Sequence, residues 1–268
     1  MHADNLPCLT VIRPDICTLA NNHILDFGPA GLIDTLHALS GADIECAGAG
    51  TDSEHAQRPA ILTLPDGHHV VICAGGTESS GIPRRWAATA TRPGVAFIPN
   101  LSNRTAVNIA ERVLALKHPG DIAVVSLHWG SNWGYDVVPS QVRFARRLID
   151  AGVDLVHGHS SHHPRPIEVY RGKLILYGCG DAVNDYEGIK GFEAYRNDLR
   201  LLYFASIEPD TGMLATLHMT PLQARRMRLE RASHQDAEGL RWTLQHISRR
   251  FETRVELDID SNLTVRVA

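Results

Sequence analysis

The stretch that most limits the fold is DIAVVSL, residues 121–127, an almost unbroken apolar run. A strand this uniformly hydrophobic is buried on both faces, as happens when a parallel sheet lies between layers. Its surroundings agree. Residues 104–117 place Val107, Ala110, Val113 and Leu114 on one helical face, and HPGD ends that pattern. PSQVRFARRLIDAG then reads as a helix, with Pro139 or Ser140 near its start and Gly152 near its end. DICTLA (15–20), HHVVICAG (68–75), VDLV, KLILYG and LRLLYFASI read as further strands. Leu32, Ile33, Leu36 and Leu39 repeat at helical spacing before Gly41. Strands alternating with helices predict an α/β class.

From about residue 213 the pattern changes. MLATLHMTPLQ is followed by a helix near 234–251 and two short strands, VELDI and LTVRV. Leu240, Leu244, Ile247 and Phe251 mark the inner face of that helix, and Ser233 with Asp236 resembles its capping box. Strands without helices between them predict an antiparallel portion. The expected organisation is a main domain over 1–222, with the helix and short strands of 223–268 packed on it. Residues 225–254 carry eight arginines against four acids, which reads first as a solvated helix face and second as a binding surface.

The chain's 268 residues suffice for one large core. A net charge of −4 gives no reason to expect nucleic acid as a partner. Cys8, Cys17, Cys46, Cys73 and Cys179 are odd in number and widely spaced, so a disulfide framework is not expected and a reducing compartment is. No apolar run of about 18 residues and no basic-then-apolar leader occurs, so no membrane segment is expected.

Chemistry-bearing residues follow the strands. DICTLA leads into Asn21, Asn22, His23 and Asp26, and AVVSL into His128 and Trp129. VDLV leads into His157, His159, Ser160 and His162, and LILYG into Asp181, Asn184 and Asp185. Ligands of open α/β sheets bind outside the carboxyl ends of strands, so these segments point to one crevice. Imidazoles with asparagine or aspartate oxygens suit borderline divalent metals such as zinc, manganese or iron. Gly158 reads as the sharp turn that aims His159 and His162 at one point, with Pro164 and Pro166 stiffening the exit. Each segment alone has a plainer reading. His128 would be packing, residues 157–163 an exposed loop, and Asn21–Asn22 a turn or cap. GAG at 48–50 and GCG at 178–180 lack the rest of a dinucleotide fingerprint, and GHSSH is not a nucleophile elbow.

LANNHILDFGPAGLIDTL, AVVSLHWG and LVHGHSSHHPRPIEVYRGKLILYGCGD together resemble the poly-gamma-glutamate capsule-biosynthesis (CapA) family, within the calcineurin-like metallophosphoesterase superfamily. The resemblance covers roughly residues 2 to 220. It implies two facing mixed sheets flanked by helices, with a one- or two-metal centre between them holding Mn, Fe or Zn. It implies that Asn22, His128, His159 and His162 are metal ligands. His23 would be the catalytic residue, touching the substrate or protonating the leaving group. Asn21, Asp26, Trp129, Ser160 and Asp181 would contact substrate or support the ligands. Asp26 would fix the His23 tautomer or, equally, cap the next helix. Where the family tends to have a large aromatic residue after the Asp181 position, this chain has Ala182.

The family's glycine-aspartate strand and its asparagine–leucine–glutamate motif are absent from this sequence. Either the protein continues upstream of Met1, or the short form binds metal weakly. The first is favoured, since a missing central strand would leave an open sheet edge. Two functions follow from the resemblance. One is a metal-dependent, phosphoesterase-like hydrolase acting on a phosphoester or an anionic polymer. The other is a non-catalytic polymer- or partner-binding subunit of a capsule synthase. A cytoplasmic location is expected, although family members are often membrane-tethered and outward-facing.

Overall fold

The computed structural model describes residues 2–184 and 189–266. The elements used below are β1 (Ile16–Thr18), α1 (Gly28–Ser40), β2 (Glu45–Ala47), β3 (Ala60–Thr63), β4 (His69–Thr77), β5 (Phe97–Ile98) and α2 (Asn103–Leu114). They continue with β6 (Ile122–His128), α3 (Pro139–Asp150), β7 (Leu155–His159), β8 (Ile167–Tyr170), β9 (Lys173–Leu176) and β10 (Leu199–Ile207). The last are β11 (Leu214–Arg225), β12 (Arg228–Arg231), α4 (His234–Ser248), β13 (Glu256–Leu257) and β14 (Leu263–Arg266).

A seven-stranded mixed sheet runs β8-β9-β7-β6-β4-β3, with β5 also on β4. Its centre, β9-β7-β6-β4, is parallel, and β8 and β3 close the flanks antiparallel. A five-stranded sheet, β10-β11-β14-β13 with β12 on β11, is antiparallel throughout. β1 and β2 form a separate parallel pair. The protein is therefore a mixed α/β fold, as the alternation of patterns predicts. The second sheet is antiparallel where the resemblance implies a mixed one: residues 199–225 turn back through a hairpin, and no crossover helix intervenes to make neighbours parallel.

β6 shows why its run is apolar on both faces. Ala123, Val125 and Leu127 pack with Ala106, Ala110 and Val113 of α2 and Phe144, Ala145 and Leu148 of α3. The helices start where their caps allow. The Ser102 hydroxyl accepts from the Thr105 N–H, and Pro139 occupies the first turn of α3. The opposite face of the sheet is shared between two smaller cores. Leu174 and Leu176 of β9 pack against Leu201, Leu217, Met219 and Val265 of the five-stranded sheet, with Leu240 and Leu244 of α4. On the other flank, Leu19, Ala20 and Ile82 pack with Leu32, Leu36 and Leu39 of α1.

The Ser233 hydroxyl accepts from the Asp236 N–H at the start of α4. β11 runs through residues 222 and 223, and β13 and β14 complete its sheet. The tail and the residues before it therefore share one sheet and one core. No helix among the described residues is long and apolar enough to cross a membrane.

Candidate functional site

Strand geometry answers why histidines crowd residues 157–163. β6 and β7 pair in register, Ser126 opposite His157 and His128 opposite His159. Side chains two apart share a face, so these four form a square on the face turned away from α2 and α3, at the carboxyl ends of both strands. The Ser126 hydroxyl lies 2.9 Å from His157 Nδ1, and His128 Nδ1 lies 3.1 Å from His159 Nδ1. The His157 and His159 rings stack with centroids 5.4 Å apart.

Burial makes these imidazoles neutral. It pushes His128 and His157 down to about 4, and the His23 and His162 imidazoles lie near enough to His128 to act in the same direction. His159 is pushed well below the usual range, by burial first and then by its two histidine neighbours. Between two neutral rings one Nδ1–H donates to the other Nδ1. His128 Nε2 and His159 Nε2 are then left buried without a partner, and unmet polar atoms of this kind cost about 1–3 kcal/mol each.

The turn after β1 comes to the same end of the sheet. The carbonyl of Ala20 and the Cβ of His128 both lie 3.5 Å from the place a Cβ would take on Gly76. The Asn22 amide stands 3.5 Å from the equivalent point on Gly81. The loop before Gly81 is tied to the histidine square, since the Ser80 hydroxyl donates to the His128 carbonyl at 2.8 Å. Asn21 Oδ1 accepts from the His23 N–H at 2.8 Å, forming the turn itself. His23 is exposed, and its Nδ1 lies 2.8 Å from Asp26 Oδ2. An ionised Asp26 accepts from Nδ1–H, which leaves Nε2 with the free lone pair. Asp26 thus serves His23, and the cap position of α1 belongs to Phe27, without a side-chain hydrogen bond.

His162 faces Asp181, with Nδ1 at 3.1 Å from both carboxylate oxygens. Asn184 Nδ2 donates to the same carboxylate at 2.9 Å, and the buried Arg200 guanidinium lies 3.8 Å away. Asp185 lies outside the described residues. Ser160 takes a positive φ of 122° and its hydroxyl donates to the Gly130 carbonyl at 3.3 Å; it shapes the loop.

Two expectations need correction. Trp129 is 1% exposed, donates its indole N–H to the Tyr177 carbonyl at 3.1 Å and stacks on that ring. It belongs to the core under the helices, because one step past His128 the strand alternation turns the side chain to the other face. Gly158 lies inside β7 and makes no turn. A Cβ there would sit 2.6 Å from the Tyr177 carbonyl oxygen and 2.7 Å from the Trp129 indole nitrogen. Its glycine is there for close approach, and the chain turns at Ser160 instead.

Sequence reasoning also missed the wall beside His162. Trp133 stacks on Phe192 with centroids 4.0 Å apart and lies 5.2 Å from His162; Tyr195 stacks on His163. The loop carrying Trp133 is held by Arg165, which is 3% exposed and donates to the carbonyls of Ser131, Trp133 and Asp136 and to the Ser131 hydroxyl. The only signal was an arginine in an otherwise uncharged run, SSHHPRPI.

The donor set fits a divalent cation in part. Two imidazole nitrogens on one tetrahedral ion, with bonds of about 2.0–2.1 Å, stand about 3.3 Å apart; the His128 and His159 Nδ1 atoms stand 3.1 Å apart, so an ion held by them would take the place of their shared proton. Neutral, partner-poor imidazoles are the form that ligates metal. Yet among the described residues no group of three His, Cys, Asp or Glu side chains is arranged to hold one ion. His162 is turned to Asp181, and among the described residues no carboxylate hydrogen-bonds to the square.

Residues 1–186 match the family described as bacterial capsule synthesis protein. Over 266 residues the chain is 57% identical to a probable polyglutamine synthesis accessory protein of Mycobacterium tuberculosis, covering 99% of this chain and 70% of that one. It is 35% identical over 172 residues to the PGA biosynthesis protein CapA of Bacillus subtilis, covering 62% of this chain and 41% of that protein. It is 29% identical over 174 residues to the capsule biosynthesis protein CapA of Bacillus anthracis, with 63% and 40% covered.

Proposed function

This chain belongs to the bacterial capsule synthesis protein family, and we propose that it serves the synthesis of a polyglutamate-type capsule polymer through the crevice at its strand ends. The observation that carries the reading is the neutral His128–His159 pair, buried at the carboxyl ends of adjacent parallel strands with His23 and His162 beside it. The architecture is taken as that of a calcineurin-like metallophosphoesterase. In it His128 and His159 would hold a divalent cation such as Mn, Fe or Zn, with Asn22 and His162 as further donors. When bound, the cation would supply charge neutralisation at a phosphate-like or acyl group and a water of lowered pKa.

The chain's own residues do the rest. His23, held by Asp26 in one tautomer, delivers or removes a proton at Nε2. Asp181 orients His162 in the same way. Trp133 and Phe192 wall the crevice beyond His162.

A second reading is favoured by the incomplete donor set: a polymer-binding accessory subunit, consistent with the name of the mycobacterial relative. The two separate experimentally. Metal content of the purified protein is measured, together with turnover of bis(4-nitrophenyl) phosphate with added manganese. Bound metal lost in His128→Ala, and turnover lost in His23→Ala with metal retained, support the hydrolase. Polyglutamate binding that survives a chelator, with no turnover, replaces it with the binding subunit.

A further inference from the structure

In the β1–β2 pair, Cys17 stands directly opposite Cys46. Directly paired residues point to the same face, and strands about 4.7–4.9 Å apart fall within the Cα separation of about 4.4–6.8 Å that a disulfide accepts. Both side chains are partly buried against the same apolar cluster, and both are free thiols here. Cys46 also lines an open groove with His37, Glu45 and His55, so small reagents reach it. The odd number and wide spacing of the cysteines argue against a disulfide framework. The fold nevertheless places these two in register across a 28-residue gap between parallel strands.

We propose that Cys17 and Cys46 are a reversible disulfide site that ties β1 to β2 and steadies the turn carrying Asn22 and His23. The oxidant is a disulfide of the glutathione class. One cysteine thiolate attacks it and expels a thiolate, giving a mixed disulfide. The second cysteine thiolate attacks the protein sulfur of that bond and expels the other thiolate. Two protein thiols and one external disulfide become one protein disulfide and two external thiols. Thiol–disulfide exchange runs both ways, so an excess of external thiol reopens the bond.

The link reaches the site through few residues. Leu19 N–H donates to the Ala47 carbonyl at 2.8 Å, and Asn21 N–H to the Leu19 carbonyl at 2.8 Å, so the strand pair continues into the turn. Burial raises the Cys17 thiol and pushes Cys46 up to about 12, with the Cys17 charge contributing to the latter. Closure is therefore slow at neutral pH and quickens by about tenfold per pH unit in the alkaline range.

The full-length chain is equilibrated with oxidised glutathione, quenched in acid, alkylated and digested. The expected product is a Cys17–Cys46 cross-linked peptide, formed faster at higher pH, with an upward melting shift of about 5 °C or more and slower amide exchange at residues 19–23. Cys17→Ser, folded by its circular dichroism, yields no intramolecular bond and no melting shift. Full alkylation of both cysteines after equilibration, or cross-linking through Cys8 instead, overturns the proposal.

Discussion

Acidification tests the neutral histidines directly. His128 and His163 are both buried, and burial lowers each from 6.5 to about 4. Unfolded, each takes up a proton near pH 6.5; folded, each waits until about pH 4. Between those values the unfolded chain binds more protons, so stability is present above pH 6.5 and is lost as pH falls toward 4. For one such group the loss between pH 7 and pH 5 is about 2 kcal/mol, and about 4 kcal/mol for the two together. That is a large share of the roughly 5–15 kcal/mol available to a folded protein. His157 and His159 shift in the same direction and add to the loss. The carboxylates Asp121, Asp198, Asp236 and Asp258 are held below their usual 3.8, so they act only in more acid solution. Urea unfolding of chelator-treated protein, followed by circular dichroism at pH 7, 6 and 5, reads the slope. His163→Gln keeps a donor for the Pro164 carbonyl and removes one titrating ring, so its slope between pH 7 and pH 5 should be shallower by about 1 kcal/mol per pH unit. A wild-type stability that changes by less than about 1 kcal/mol over this range, or a slope that His163→Gln leaves untouched, refutes the burial argument.

Three further outcomes follow from particular contacts. Asp154 is fully buried and accepts from Lys117, Lys173 and the Ala123 N–H; Asp154→Ala strands two ammonium groups and should cost about 3–5 kcal/mol in chemical denaturation, a loss under 1 kcal/mol being contrary to that assignment. Gly158→Ala forces a Cβ against the Tyr177 carbonyl and the Trp129 indole, so about 1–3 kcal/mol of stability should go, with a changed near-ultraviolet tryptophan signal; an unchanged melting temperature speaks against close approach as the reason for glycine. Arg165→Ala should release the Trp133 loop, seen as a red-shifted tryptophan emission. Arg165→Lys should not restore it, because an ammonium cannot reproduce the guanidinium fork that reaches several carbonyls.

What could be read in advance tracks how local each determinant is. β6, α3 and β10 were visible because period-two and period-3.6 patterns are properties of a single segment. The approach of the turn after β1 to the His128 end of the sheet was reachable as well, because ligand-bearing loops gather at the carboxyl ends of parallel strands whatever the sequence between them. Register was not reachable. That His128 faces His159, and Ser126 faces His157, depends on how β6 and β7 slide against one another, and a one-residue slip of β7 would turn His157 and His159 to the helix-covered face, away from Ser126 and His128. Trp129 fell to the same rule: assigned to the crevice for its place beside His128, it goes into the core because neighbours on a strand point opposite ways. That Cys17 stands opposite Cys46 is likewise a matter of register. Arg165 was invisible because its partners are carbonyls of a distant loop, and backbone acceptors leave no trace in residue identity. The chemistry of this site therefore rests on strand register as much as on residue type. A variant that shifts β7 by one residue while preserving every histidine should lose the site as completely as one that removes them.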